Sequence, residues 1–180
     1  MASKNPHHEG NRGIEFDKTE KTIKIRPQDL NIIWGEDSRY WNIQSGDKPA
    51  ELLQVCWLEV TGSVHGIDPM KSYKVRFDVS FTPDAFGWGG YPLYVMLKTG
   101  KDGKVKWERV DTNSNEKKEI SAQSSPVERN LNDNSKLYFG LYEVWTGKWK
   151  GGLKIHNVFV EEVEEKKPEH TYTNCSMRLS

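Results

Sequence analysis

Hydrophobic and polar residues alternate along much of the chain, and this alternation predicts short antiparallel strands. In the clearest example, residues 72–81, Tyr73, Val75, Phe77, Val79 and Phe81 share one face, while Lys74, Arg76, Asp78 and Ser80 share the other. A period of two is typical of a strand with one face on the core and the other in water.

Shorter alternations and apolar runs predict further strands at residues 14–16, 22–25, 32–34, 40–43, 52–60, 93–98, 105–110, 119–122, 136–145 and 153–163. The run at 52–60 is apolar on both faces at its start. It therefore predicts a central strand covered on both sides, or one whose second face is closed by a loop or a partner. In residues 153–163 the apolar parity changes near Asn157, which predicts a β-bulge.

About eight to ten short strands separated by turn signals, without a convincing helical period, predict an all-β fold. We expect an antiparallel β-sandwich of jelly-roll type, with short or no helices. Residues 14–163 are predicted to form the domain. The polar segments 1–13 and 164–180 lack an apolar period and are predicted to be disordered tails.

Charge and cysteine usage narrow the functional classes. The 180 residues carry 26 basic and 26 acidic side chains, without the basic excess that nucleic-acid binding favours. No apolar run is long enough to predict membrane insertion, and the polar residues 1–10 do not resemble a secretory signal. Cys56 and Cys175 are far apart in sequence, which favours reduced thiols in the cytoplasm or nucleus.

Catalytic and metal-binding patterns give no specific match. Three of the five histidines fall in the predicted tails, and no spacing suggests metal ligands. The chain shows no phosphate-binding loop, nucleophile elbow or dinucleotide fingerprint. We therefore expect no metal, no cofactor and no catalytic residues, although plentiful carboxylates leave a glycosidase pair open.

Aromatic residues supply the candidate chemistry. Trp34, Tyr40 and Trp41 flank a polar Gly-Glu-Asp-Ser loop, which suits the apolar face of a sugar or another flat ligand. The alternative is that at least one of these rings packs in the core. Phe86 and Trp88 lie in a glycine-rich loop and form either a further wall or a plug folded onto the sheet.

Glu143 occupies a position where the alternation of its strand calls for an apolar residue. It is either a solvated residue at the strand end or a carboxylate that projects into a pocket beside Trp145 and Trp149. In the second case it would accept charge-assisted hydrogen bonds from sugar hydroxyl or amide groups.

Several motifs together resemble the phloem protein 2 family, the lectins that include the tobacco agglutinin and the cucurbit phloem lectins. They are Asp29-Leu30-x-Ile-x-Trp34, Tyr40-Trp41, Glu51-Leu52-x-x-Val55-x-Trp57-Leu58, Tyr73-x-Val75-x-Phe77 and Glu143-Val144-x-x-Gly147-x-Trp149-Lys150-x-Gly152-Leu153. The resemblance extends from about Ile23 to Val163. It implies a β-sandwich lectin of the plant cytoplasm and nucleus that binds chitooligosaccharides and the N-acetylglucosamine core of N-glycans, often as a homodimer.

The resemblance also implies residue roles. Trp34, Trp41 and Glu143 match positions tied to sugar binding, and Trp149 and Lys150 belong to the adjoining motif. The expected carbohydrate-binding set is Trp34, Tyr40, Trp41, Trp88, Glu143, Trp149 and Lys150. Lys136 departs from the family pattern, since the tobacco agglutinin has a glutamate implicated in binding there.

Three functions follow from these observations. The favoured one is a non-catalytic lectin for N-acetylglucosamine oligomers and for glycoproteins that carry them. The alternative is an interaction protein of phloem sieve elements that binds RNA or phloem proteins without using a sugar site. A glycan-processing enzyme is the least favoured, because no acid/base pair is recognisable.

Overall fold

A computed structural model describes residues 5–101, 103–112, 118–123 and 135–164. Within these ranges the chain forms eleven strands, and its helical structure is a single 3₁₀ turn at Pro27–Asp29. The strands are β1 (Thr22–Ile25), β2 (Asn31–Ile32), β3 (Trp41–Asn42), β4 (Ala50–Leu52), β5 (Leu58–Val64), β6 (Ser72–Phe86), β7 (Leu93–Thr99), β8 (Lys106–Val110), β9 (Lys118–Gln123), β10 (Leu137–Glu143) and β11 (Gly151–Val163).

The strands form two antiparallel sheets, which confirms the predicted β-sandwich. One sheet has the order β3-β4-β11-β6-β9, and β1 also pairs with the long strand β11. The other has the order β2-β5-β10-β7-β8. Apart from β3–β4 and β7–β8, neighbouring strands are distant in sequence, so each sheet joins segments from both halves of the chain.

The core consists of the inward-facing residues of both sheets. Their alternation with half-exposed residues is regular in β5, β7 and most of β6, as the period of two predicts. Phe77 of one sheet contacts Phe139 of the other edge to face, with ring centroids 6.1 Å apart. Two register shifts interrupt the β6–β11 pairing, and the one between Ile155 and Asn157 confirms the predicted bulge.

The segment predicted as one central strand at residues 52–60 is two strands in different sheets. β4 ends at Leu52 and β5 begins at Leu58, so residues 53–57 cross between the sheets. Val55 points into the core and forms an isolated bridge with Lys150, whereas Leu53 and Trp57 are exposed. The prediction was wrong because its apolar residues serve two sheets and a surface, not two faces of one strand.

Two short predicted strands also differ. Around Ile14 only an isolated parallel bridge between Glu15 and His65 forms, and β2 ends at Ile32, before Trp34. Residues 5–13, expected to belong to a disordered tail, lie against β2, where the backbone of His8 exchanges two hydrogen bonds with Ile32. The limits of the domain stay a prediction.

Among the described residues, no helix is long and apolar enough to cross a bilayer.

Candidate functional site

An aromatic cleft opens at one end of the sandwich, where loops from both sheets meet. It is lined by Trp34, Tyr40, Val55, Cys56, Trp57 and Trp149 and has a volume of about 230 Å³. These residues come from the β2–β3 connection, the crossing segment 53–57 and the β10–β11 loop. The cleft therefore brings together indoles from opposite ends of the chain.

Three rings of the cleft form a continuous row. The ring of Tyr40 stacks on that of Trp149, with centroids 6.3 Å apart and an interplanar angle of 28°. On its other side, Trp34 meets Tyr40 edge to face at 5.7 Å. Trp34 and Trp149 keep 38% and 52% of their surface exposed, so both rings are accessible to a ligand.

Trp34 is held in an unusual backbone conformation. Its φ of 65° lies in the left-handed region, which a bulky L-residue seldom adopts. The Trp34 amide donates a hydrogen bond to Nδ1 of His7 at 3.0 Å, and the Trp34 carbonyl accepts one from Asp37 at 3.1 Å. The His7 ring also contacts the indole edge to face at 5.2 Å. Strain of this kind is concentrated at functional positions, where surrounding contacts maintain it.

Trp57 brings a carboxylate to the rim of the cleft. Its indole N–H donates a 2.8 Å hydrogen bond to Oε2 of Glu59, which fixes the ring while 47% of its surface stays exposed. Trp57 is absent from the predicted site because its place in an apolar run suggested a strand. Its position in a family motif is the signal that could have identified it.

Glu143 and Lys150 form a buried ion pair beside the cleft. The Glu143 carboxylate also accepts hydrogen bonds from the amide of Thr146 at 3.2 Å and from its hydroxyl at 2.9 Å. The Lys150 ammonium donates to the carbonyls of Lys148 at 2.7 Å and Cys56 at 3.3 Å. Glu143 is therefore neither a solvated strand end nor a group projecting into an open pocket. The pair instead fixes the loop that presents Trp149 and ties it to the crossing segment.

Two predicted site residues, Trp41 and Trp88, are buried and present no ring to the cleft. Trp88 packs against Phe81 at 5.2 Å, and its indole donates a 2.8 Å hydrogen bond to the carbonyl of Gly151. Of the two alternatives for the glycine-rich loop, a wall of the site or a plug folded onto the sheet, Trp88 is therefore the plug. The sequence left open that at least one of Trp34, Tyr40 and Trp41 packs in the core, and Trp41 is such a ring.

Trp41 also borders a second, more polar pocket of about 380 Å³ that includes Gln28, Glu36 and Gln44. The Trp41 indole N–H has no hydrogen-bond partner among the described residues. His8 closes one side of this pocket, because its ring nitrogens lie 2.7 Å from Oε1 of Glu36 and 2.8 Å from the carbonyl of Gln28.

Charges near the cleft are paired locally. Arg39 donates hydrogen bonds to both carboxylate oxygens of Asp37, which lowers the pKa of Asp37 to about 2. The Arg39 guanidinium also lies 5.3 Å from the centroid of the Tyr40 ring, behind the aromatic row. Within the described ranges, no group of three or more histidine, cysteine or acidic side chains could hold a metal ion.

Comparisons with known proteins give a consistent result. The model of the Phloem protein 2 family matches residues 20–161. The protein PHLOEM PROTEIN 2-LIKE A9 of Arabidopsis thaliana is 43% identical over 178 residues, which cover 90% of this chain and 99% of that protein. A protein of Luffa acutangula named Lectin is 34% identical over 106 residues, which cover 53% of this chain and half of that protein.

Solved structures resemble the chain only distantly. A family 35 carbohydrate binding module from Clostridium thermocellum is 13% identical, with a TM-score of 0.44 over 77% of this chain and 96% of that module.

Proposed function

The chain belongs to the phloem protein 2 family, and we propose that it is a carbohydrate-binding lectin whose aromatic cleft recognises N-acetylglucosamine oligomers. The observation that carries this proposal is the row formed by Trp34, Tyr40 and Trp149 around an open cleft. Support also comes from the similar Luffa acutangula protein, which is named a lectin.

Stacking on exposed indoles explains sugar binding physically. The faces of a pyranose ring carry C–H groups, which pack against aromatic rings and leave the hydroxyl groups free at the edges. Trp34 and Trp149 offer such surfaces, while Tyr40 fixes their relative position. Sites with apolar walls and a few fixed polar groups are typical of small-ligand binding.

An N-acetyl group fits the remaining part of the cleft. Cys56, which lines the cleft beside the buried Val55, offers a contact that suits the acetamide methyl group. The Glu59 carboxylate at the rim, held by Trp57, can accept a hydrogen bond from an amide N–H or a hydroxyl. This combination favours an N-acetylated sugar over a plain hexose.

The proposed activity is binding without a chemical step. Glycoside hydrolysis uses two carboxyl groups placed on either side of the scissile bond. Glu143 is occupied by Lys150 and Thr146, and Glu59 accepts a hydrogen bond from Trp57. The homodimer and the cytoplasmic and nuclear location that the resemblance implies are further predictions.

Calorimetric titration with chitotriose tests the proposal. We expect Trp149→Ala to weaken binding at least tenfold, which corresponds to about 1.4 kcal/mol. Met70→Ala, which truncates an exposed apolar side chain outside the cleft, should bind as the wild type does. If chitotriose and a glycan array give no binding, and RNA binds in a salt-sensitive manner, the alternative of an RNA-binding phloem protein takes its place.

A further inference from the structure

The outer face of the five-stranded sheet is a further concave surface, with other lining residues than the cleft. It encloses about 470 Å³ and includes Thr61 and Ser63 of β5, Met96 of β7, and Tyr138 and Tyr142 of β10. Thr61 and Ser63 lie two positions apart on β5, and Tyr138 and Tyr142 lie four apart on the neighbouring strand β10. Each pair therefore shares one face of the sheet. The face thus offers rows of hydroxyl groups rather than the purely apolar surface of a packing interface.

Two exposed tryptophans border this concave surface. Trp107 of β8 and Trp145 after β10 expose 48% and 58% of their surface, and their ring centroids are 5.8 Å apart. Trp145 contacts the ring of Tyr94 at 4.9 Å, and Trp107 contacts that of Tyr142 at 5.3 Å. Exposed aromatic clusters of this kind usually mark interaction sites.

Tyr142 lies across the floor of the surface. A Cβ atom at Gly140 would come within 2.5 Å of the Tyr142 ring, so the glycine allows that ring to fold back over the strand. Burial, with a smaller contribution from the Glu59 carboxylate, raises the pKa of Tyr142 to about 12. Near neutral pH the phenol is neutral, as an ordinary tyrosine is, and it can donate a hydrogen bond.

Trp57 and Glu59 connect the aromatic cleft to the concave surface. Trp57 lines the cleft and donates a hydrogen bond to Glu59. Glu59 is the direct cross-strand partner of Tyr142, which in turn pairs with Tyr94. A ligand that leaves the cleft past Trp57 therefore reaches the aromatic cluster over these two cross-strand pairs.

We propose that the outer face of the five-stranded sheet, from Glu59 to Trp107 and Trp145, binds further units of an uncharged oligosaccharide whose end occupies the cleft. This inference rests on the proposed function of the cleft. Hydroxyl rows between aromatic rings match the alternating polar edges and apolar faces of a sugar chain. Arg109 and Arg12, near this surface, are each paired with a carboxylate, and the Lys136 ammonium lies 5.0 Å from the centroid of the Tyr138 ring. The Glu59 carboxylate, between the cleft and Tyr142, disfavours a polyanion there.

Chain-length dependence of binding tests the inference. Titrations would compare chitotriose with chitohexaose on the wild type, on Trp149→Ala and on the double variant Trp107→Ala/Trp145→Ala. In the wild type we expect the hexamer to bind about tenfold more tightly than the trimer. The double variant should bind the trimer like the wild type and lose the advantage of the hexamer. Trp149→Ala should weaken both ligands.

Other results would overturn the inference. Equal wild-type affinity for both lengths, or an advantage of the hexamer that survives in the double variant, shows that the outer face binds no sugar units, although the cleft proposal stands. If the wild type binds neither ligand, the proposed function fails as well. A change of oligomeric state in the double variant by sedimentation assigns the face to a second copy, and a loss of RNA binding assigns it to RNA. Thermal melts establish that both variants are folded.

Discussion

At the scale of single residues, Trp34 combines an exposed ring with backbone strain. Holding an L-residue in the left-handed region costs about 1–2 kcal/mol, and glycine does not incur this cost. The contacts from His7 and Asp37 maintain the strained turn, and the strain directs the indole into the cleft. Two substitutions separate these effects: one removes both the ring and the backbone strain, and the other removes the ring and keeps the strain.

We predict that Trp34→Gly is more stable than Trp34→Ala by about 1 kcal/mol, the reverse of the usual order. Both variants lack the indole, so both should lose most of the affinity for chitotriose. Urea unfolding and calorimetry measure the two quantities. A Trp34→Ala variant as stable as Trp34→Gly would show that the turn carries no strain.

The buried pair Glu143–Lys150 gives the second prediction. Removing one charge leaves the other buried and uncompensated, which costs about 3–5 kcal/mol. We expect Glu143→Gln and Lys150→Met each to be strongly destabilising, and the double variant to be much less unstable than the sum of the two. Denaturant unfolding of the four proteins of this cycle gives the coupling energy, and additive effects would contradict the prediction.

The same cycle distinguishes two roles of Glu143 in sugar binding. If the carboxylate acts by holding the loop that carries Trp149, chitotriose affinity should fall in each single variant and recover in the double variant. If the carboxylate contacts the sugar, as the sequence interpretation held, affinity should stay low in the double variant. The hydrogen bonds from Thr146 to the carboxylate favour the first role.

At the scale of elements, the alternation of apolar and polar residues identified the strands that have one solvent-exposed face. β6, β7 and β10 follow the period of two closely, and the parity change near Asn157 located the bulge of β11. Alternation could not show the crossing segment 53–57, because the position of each apolar side chain there depends on which sheet the adjoining strand joins. It also could not tell Trp41 from Trp34, since that difference arises from the turn at Trp34.

The glycine-rich loop after β6 gives the third prediction. Gly87 has a φ of 82°, and a Cβ there would lie 2.1 Å from the carbonyl oxygen of Trp149. We expect Gly87→Ala to displace residues 149–150, destabilise the fold by at least about 1 kcal/mol and weaken chitotriose binding. Gly89→Ala is the matched control, because nothing lies within 4 Å of a Cβ at Gly89. Equal stability and affinity of the two variants would contradict this account of the loop.

At the scale of the whole molecule, the cleft depends on contacts between distant parts of the chain. Trp34 and Trp149 lie in two connections that each run from the five-stranded sheet to the other sheet, and Val55 of the crossing segment forms an isolated bridge with Lys150 beside them. The sequence resemblance predicted that Trp34 and Trp149 share a site. It did not assign Trp57 to the site, although Trp57 lies in a family motif, because the place of Trp57 in the cleft depends on where the chain crosses between the sheets.

Residues 5–13 extend this long-range support, although their polar composition predicted a disordered tail. The backbone of His8 pairs with Ile32, its side chain reaches Glu36 and Gln28, and His7 supports the strained turn at Trp34. Backbone and imidazole hydrogen bonds hold this segment in place, so it needs none of the apolar residues whose period identifies strands in a sequence. The segment therefore supports the turn that carries Trp34, one of the residues that line the cleft.

We predict that a chain lacking residues 1–9 folds with the same sheets but binds chitotriose several-fold more weakly, because Trp34 loses its contacts with His7. Circular dichroism should show an unchanged β-sheet signal, and unfolding should show a loss of about 1–3 kcal/mol from the missing hydrogen bonds. His7→Ala in the full-length chain should reproduce the loss of affinity with a smaller loss of stability, since the pairing of His8 with Ile32 remains. If the shortened chain binds chitotriose as tightly as the full chain, the turn at Trp34 keeps its conformation without this segment, and the support for the cleft comes from the two sheets alone.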